Sequence, residues 1–338
     1  MKITKPSYNL VLFATALALC VVILGAFTRL QDAGLGCPDW PTCYGFAVWP
    51  KTAEQIVQAE SLFPDSPYEH AKAWPEVVHR YFASTLGFVI ILINFIAWQH
   101  RRNRDQPLKL PIFLLALVIA QGIFGMWTVT LKLWPQVVTT HLLGGFATLS
   151  LLWLLVLRLN QRAWPQPVHA ANWRKLRPLA MLGLVLVIAQ IALGGWTSSN
   201  YAALACPDLP TCQGRWLPPM DFADGFNVTQ EIGPNYLGGQ LDGSARVAIH
   251  MMHRIGAIVV TLYLLFLLSR LYKYADGPHM RRQANVIAGL LIVQVSLGLS
   301  NVIWSLPLPV AVAHNACGAL LLLALVTLNY RLRLSTSW

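Results

Sequence analysis

Eight runs of apolar residues, each about 20 long, dominate the chain: residues 9–29, 76–98, 110–130, 137–158, 176–197, 246–270, 283–304 and 309–331. Roughly 20 helical residues cross a hydrocarbon core about 30 Å thick. Inside it no water satisfies backbone N–H and C=O groups, so only helices and closed barrels span. Barrel strands alternate polar and apolar residues, and these runs do not. The fold class is therefore an all-α integral membrane protein with eight transmembrane helices. Composition agrees, with only 12% charged residues against about a quarter in soluble domains. Trp40, Trp49, Trp74, Trp134, Trp196 and Trp304 fall in or beside segment ends, where tryptophan concentrates at membrane interfaces.

Charge orients the helices. Of the 25 Lys and Arg residues, 17 fall on one side: 2 before the first run, 4 after the second, 5 after the fourth, 4 after the sixth and 2 after the eighth. The other side carries 12 of the 14 Asp and Glu residues. Basic loops stay in the cytoplasm, which places both termini there. The first run ends in Arg29 and lacks a small-residue cleavage site, so it reads as a span and not as a cleaved signal peptide. No Arg-rich transit extension precedes it, and a bacterial inner membrane, multi-pass, is the expected location. The net charge of +11 is a topology signal. No basic helix or RNA-binding signature accompanies it, which excludes nucleic acid as a partner.

The two halves repeat each other. "GAFTRLQDAGLGCPDWPTC" from Gly25 aligns without a gap with "GGWTSSNYAALACPDLPTC" from Gly194, pairing Cys37 with Cys206 and Cys43 with Cys212. His79-Arg80 pairs with His253-Arg254, and Gln121, Gly125 and His141 pair with Gln294, Gly298 and His314. Self-similarity on this scale predicts two pseudo-symmetric four-helix bundles in tandem, residues 1–163 and 164–338, joined by a polar linker at 159–175. Each unit enters from and returns to the cytoplasm, so the repeat is parallel.

His79, His141, His253 and His314 each lie near the outer end of an even-numbered helix, at similar depth. A lone histidine there is usually a structural hydrogen bonder. Four at repeat-related positions instead suggest two pairs meeting across bundle interiors, as cofactor ligands do. One turn along from them stand Ala83, Gly144, Gly145, Gly256, Ala257, Cys317 and Gly318. Small residues let membrane helices pack closely, but beside these histidines they also read as room for a flat macrocycle. Zinc would want a tetrahedral set including Cys, Asp or Glu, which does not converge here; haem iron needs one or two axial imidazoles. Arg29, Arg80, Arg246 and Arg254 lie at outer helix ends and are candidates to pair with haem propionates.

The cysteine pairs Cys37-Cys43 and Cys206-Cys212 sit in the two long outer loops, where an oxidising compartment permits one disulfide each. Cys20 and Cys317 fall within helices and read as packing residues. The halves differ at Glu76, whose repeat counterpart is His250, and at Arg29, Trp40 and Trp74, which face Ser198, Leu209 and Ala248. Glu76 precedes His79 by one helical turn on the same face, placed to accept a proton or stabilise a cationic intermediate. His250 is placed to be an alternative ligand or a supporting partner of His253. His70, His100, His169 and His279 lie in loops and receive no role.

These features together, "TRLQDAGLGCPDWPTC", "EVVHR" at Glu76–Arg80, the single histidines His141 and His314, and "HR" at His253-Arg254, resemble the haem A synthase family over essentially the full chain. The resemblance implies that His253 and His314 hold haem b as cofactor. It implies that His79 and His141 take haem O as substrate, whose porphyrin methyl is oxidised to a formyl group to make haem A for terminal oxidases. Glu76 would be the catalytic residue. Lipid, a haem O synthase and a quinol or other electron-transfer protein are the expected partners, and homo-oligomerisation is left open. Two rivals stand beside this reading: a diheme b-type membrane cytochrome linked to quinone, and a haem-handling or disulfide-exchanging factor that alters no cofactor.

Overall fold

The computed structural model describes residues 5–103, 106–160, 170–274 and 277–334. The boundary expected at 163/164, most of the linker around it and His169 lie outside the described residues. Eight helices are long and apolar enough to span a membrane: α1 (Lys5–Leu30), α3 (His70–Gln99), α4 (Lys109–Thr130), α5 (Pro135–Leu159), α6 (Ala170–Ser199), α8 (Gly243–Tyr274), α9 (Pro278–Ile303) and α10 (Leu308–Leu334). No strand occurs among the described residues, only isolated bridges at Cys43–Phe46 and Cys212–Arg215.

The spans start earlier and run longer than their apolar stretches, because polar first turns such as His70–Trp74 continue the helix beyond hydrocarbon. Two short outer helices, α2 (Ala53–Leu62) and α7 (Phe222–Gly225), carry no apolar period that the sequence reading could detect. Local capping chemistry makes them. Thr52 accepts from the Gln55 N–H while the Gln55 side chain accepts from the Thr52 N–H, and Asp221 caps α7 at Asp224.

Helix packing follows the repeat. α1 packs on α3 and α5, and α4 on α3 and α5; α6 packs on α8 and α10, and α9 on α8 and α10. The two sets meet along α5–α6, α5–α10 and α1–α10. Backbone detail also recurs: Lys132 and Leu133 (φ 48 and 61) turn α4 into α5, and Ser305 and Leu306 (φ 54 and 61) turn α9 into α10.

One apolar core draws residues from all eight spans, from Val11 on α1 to Leu332 on α10. Trp153 Nε1 donates to Thr327 Oγ1 (2.8 Å) and Asn329 Nδ2 to the Ala180 carbonyl (3.0 Å) within it. On the histidine-bearing helices this core stops short. Its outermost members are Leu86, Phe146, Val260 and Ala319, each five to seven residues beyond His79, His141, His253 or His314. At 1.5 Å of rise per residue, that is about 7.5–10.5 Å of helix between these core members and each histidine.

Candidate functional site

Each imidazole faces a glycine on a neighbouring helix. A Cβ at Gly25 of α1 would lie 3.0 Å from His79 Cε1, and at Gly194 of α6 3.2 Å from His253 Cε1. On the other two helices a Cβ at Gly125 would lie 3.4 Å from His141 Cε1 and at Gly298 3.2 Å from His314 Cε1. The absent side chains therefore set the ring positions, in the same way four times. His79 and His141 lie close enough to interact electrostatically, and so do His253 and His314. The two members of each pair come from different helices of one repeat, and all four are partly buried. Buried Nδ1 atoms of His79 and His141 have no hydrogen-bond partner. This donor set, with glycines cleared in front of it, fits axial ligation of a haem iron. Among the described residues no group of three or more His, Cys, Asp and Glu is gathered to enclose a bare metal ion.

Three of the small residues one turn from the histidines pack against side chains. Gly144, Gly256 and Gly318 lie against glutamines: a Cβ would come 1.8 Å from Gln121 Nε2, 2.2 Å from Gln190 Oε1 and 3.5 Å from Gln294 Nε2. Glutamine amides, not open space, fill those positions. The repeat gives Gln190 no signal in the sequence, because its repeat counterpart is Val21.

Glu76 is buried, 4% exposed, in the second turn of α3. Its Oε2 accepts the Cys37 N–H (2.9 Å) and its Oε1 accepts from Arg80 Nη2 (2.5 Å). Arg80 also donates to the carbonyls of Asp39 (3.1 Å), Pro41 (3.3 Å) and Thr42 (2.7 Å), fastening the first outer loop to α3. Both cysteine pairs are disulfides, with Cα–Cα 4.7 Å in each. Asp39 closes the first disulfide loop by accepting from Thr42 Oγ1, Tyr44 N–H (2.6 Å) and Gly45 N–H (2.9 Å).

In the second repeat Asp208 does the same with Thr211, Gln213 and Gly214. The Thr211 hydroxyl and those N–H groups hold its carboxyl down at about 2. Arg254 repeats the loop clamp, donating to Cys206 (2.8 Å) and Thr211 (2.9 Å) carbonyls. The helix carries no carboxylate at the position matching Glu76. His250 occupies that place, buried, with Nδ1 2.9 Å from the Ala202 carbonyl. Its ring is thus held to the loop, which gives it a supporting position.

The four candidate propionate arginines all hold protein carbonyls. Arg246 Nε donates to Leu241 (2.8 Å), and Arg29 Nη2 donates to Ser198 (2.5 Å), the residue at its own position in the other repeat. Arg29 also lies 4.1 Å over the Tyr201 ring and 3.5 Å from Asp32. Only Arg29 and Arg254 keep a buried Nε with no partner. Of the remaining cysteines, Cys20 is exposed and Cys317 buried.

The fold and site define a class: a polytopic helical membrane protein with two repeat-related imidazole pairs and a buried carboxylate beside one of them. Comparison with known sequences narrows this. The profile of the COX15-CtaA family, described as cytochrome oxidase assembly protein, matches residues 8–326, and the chain belongs to that family. It is 49% identical to Heme A synthase of Shewanella oneidensis over 92% of each chain. It is 28% identical to Heme A synthase of Caulobacter vibrioides, covering 98% of this chain and 97% of that one, and 28% identical to that of Allorhizobium ampelinum, covering 92% and 86%.

Proposed function

We propose that the chain is a haem A synthase, an oxidoreductase of the bacterial inner membrane that converts haem O to haem A. Family membership and the relatives named above support the activity. The observation that carries the residue-level reading is the asymmetry of otherwise matching sites: Glu76 stands where the second repeat has His250. On this reading residues 1–163 form the substrate unit, with His79 and His141 facing haem O. Residues 164–338 form the cofactor unit, with His253 and His314 holding haem b. The packing of α1, α3, α4 and α5 with one another, and of α6, α8, α9 and α10 with one another, supports the division. The distribution of Lys and Arg supports cytoplasmic termini.

Bound haem b would supply a one-electron relay to an external acceptor. The chain itself supplies the acid–base chemistry and positioning. Oxidising a methyl carbon to a formyl releases protons, and the Glu76 carboxylate is the group placed to accept one. The Cys37 N–H fixes one of its oxygens and Arg80 the other, so the carboxylate is oriented before substrate arrives. Arg80 also balances its charge in a buried setting, where an unpaired carboxylate would be costly. The unpartnered Nε atoms of Arg29 and Arg254 make these two the better propionate partners.

Extracted pigments test the reading. Glu76→Gln, expressed with a source of haem O, is expected to accumulate haem O while retaining haem b; normal haem A yield would remove Glu76 from the chemistry. His253→Ala and His314→Ala are each expected to lose the haem b spectrum. Retention of that spectrum in the double variant would overturn the cofactor assignment, and parent protein that binds haem b but forms no haem A from supplied haem O would favour a plain electron-transfer cytochrome.

A further inference from the structure

The four imidazoles look alike in placement but not in what touches their second nitrogen. In the second repeat, Gln190 Nε2 lies 3.0 Å from His253 Nδ1 and donates to the His253 carbonyl (2.9 Å). Gln294 Nε2 lies 3.3 Å from Nδ1 and 3.2 Å from Nε2 of His314. In the first repeat, the Nδ1 atoms of His79 and His141 are buried and meet no side-chain partner, the backbones of Val21 and Gln121 being the polar neighbours of those rings. The counterpart of Gln190 is Val21, which offers His79 its backbone but no side-chain amide. The pocket for that amide changes with it. Gly256, which would collide with Gln190 if it carried a Cβ (2.2 Å from Oε1), is Phe82 in the first repeat. Two positions on two helices have thus switched together, Gln–Gly in one half and Val–Phe in the other.

We infer that Gln190, seconded by Gln294, is a positioning residue that locks the iron-binding imidazoles of the second repeat, making that site retain its haem while the first repeat exchanges its own. The inference rests on the proposed division into substrate and cofactor halves. An imidazole that binds iron through Nε2 carries its proton on Nδ1 and needs an acceptor there. Oε1 of Gln190 and Oε1 of Gln294 are both buried and unpartnered. A half-turn of the Gln190 amide about its Cγ–Cδ bond brings Oε1 to the place from which Nε2 now touches Nδ1, exchanging the present bond to the His253 carbonyl for an acceptor at Nδ1. Such an outer partner fixes the ring's tautomer and orientation and raises ligand basicity, and losing one typically weakens a metal site 10–100-fold. A prosthetic haem benefits from that hold. A substrate haem that must leave as product does not, and His79 has Val21 where the amide would be.

The test uses purified protein carrying haem b and follows its transfer to excess apomyoglobin, alongside the low-spin electron paramagnetic resonance signal of the bound haem. Gln190→Val should speed haem b loss roughly 10–100-fold and shift the resonance, as the ring is freed to rotate. Gln190→Glu, which restores an acceptor, should return the loss rate toward the parent value. Val21→Gln combined with Phe82→Gly should slow release of haem O from the first site. Transfer within about twofold of the parent rate for Gln190→Val, with an unchanged resonance, would overturn the inference. Failure of Gln190→Glu to restore retention would overturn it too, by reducing Gln190 to a packing residue. If His253→Ala keeps haem b, the division of halves itself fails; if His253→Ala loses it while Gln190→Val behaves as the parent, only this inference fails.

Discussion

Gly36→Ala adds one methyl group and is expected to disable Glu76 without touching it. A Cβ at Gly36 would lie 2.2 Å from the Lys72 carbonyl oxygen, 2.4 Å from its carbon and 2.9 Å from the Ala73 nitrogen. All three are backbone atoms in the first turn of α3, so no side chain can swing aside. Ordinary contact begins near 3.4 Å, so the loop must retreat by about 1.2 Å. The next residue is Cys37, whose N–H lies 2.9 Å from Glu76 Oε2; adding such a displacement takes that distance beyond hydrogen-bond range. A hydrogen bond to a charged group contributes about 1.5–3 kcal/mol and overpacking costs about 1–3 kcal/mol. The sum is about 2.5–6 kcal/mol at one site. Alanine brings no backbone strain of its own here, since Gly36 is not among the positive-φ glycines, and the second repeat carries Ala205 at the matching position. Thermal melting in detergent should fall by several degrees, and haem O should accumulate as in Glu76→Gln. A variant that melts like the parent and makes normal haem A would show that the Cys37–Glu76 contact does not hold the carboxylate for catalysis.

Other expectations are separable. Arg29→Met removes the guanidinium that bonds Ser198 and covers Tyr201, and should cost about 1.5–3 kcal/mol; an unchanged melting curve would argue that α1 and α6 need no such tie. Replacing Cys37 and Cys43 together by serine opens a loop of sequence separation 6, a loss of about 2 kcal/mol on the chain-entropy account. It should loosen Glu76 enough to lower haem A yield in a pigment assay, and an unaltered yield would uncouple the disulfide from the site. The carboxyl of Asp208 titrates near 2, below its ordinary value, so its loop bonds are complete above about pH 4 and are lost as pH falls through about 2. Amide exchange at Gln213 and Gly214 should accelerate across that window beyond the intrinsic rate. Asp208→Asn should remove the pH dependence, and a flat profile in the parent would refute the capping role.

The eight spans, their helical nature and the twofold repeat could be read from sequence. Hydrocarbon imposes a length and an apolar composition on anything that crosses it, and a duplicated motif survives as matching residues. Disulfide partners were legible for a similar reason, since each pair sits within one short loop. Four histidines stand out in the sequence because they fall at matched positions of the repeat. What escaped was everything that depends on one helix touching another. The glycines in front of the imidazoles, the glutamines filling the small-residue notches and the arginines tied to loop carbonyls are contacts between segments far apart in the chain. Gln190 reaches across 63 residues to His253, and Arg29 across 169 to Ser198. Periodicity records which face of a helix is apolar; it carries no record of what lies opposite. Only the packed bundle decides which polar atoms meet. In this protein those meetings set a carboxylate bonded to the Cys37 N–H in one half against an imidazole bonded to the Ala202 carbonyl in the other.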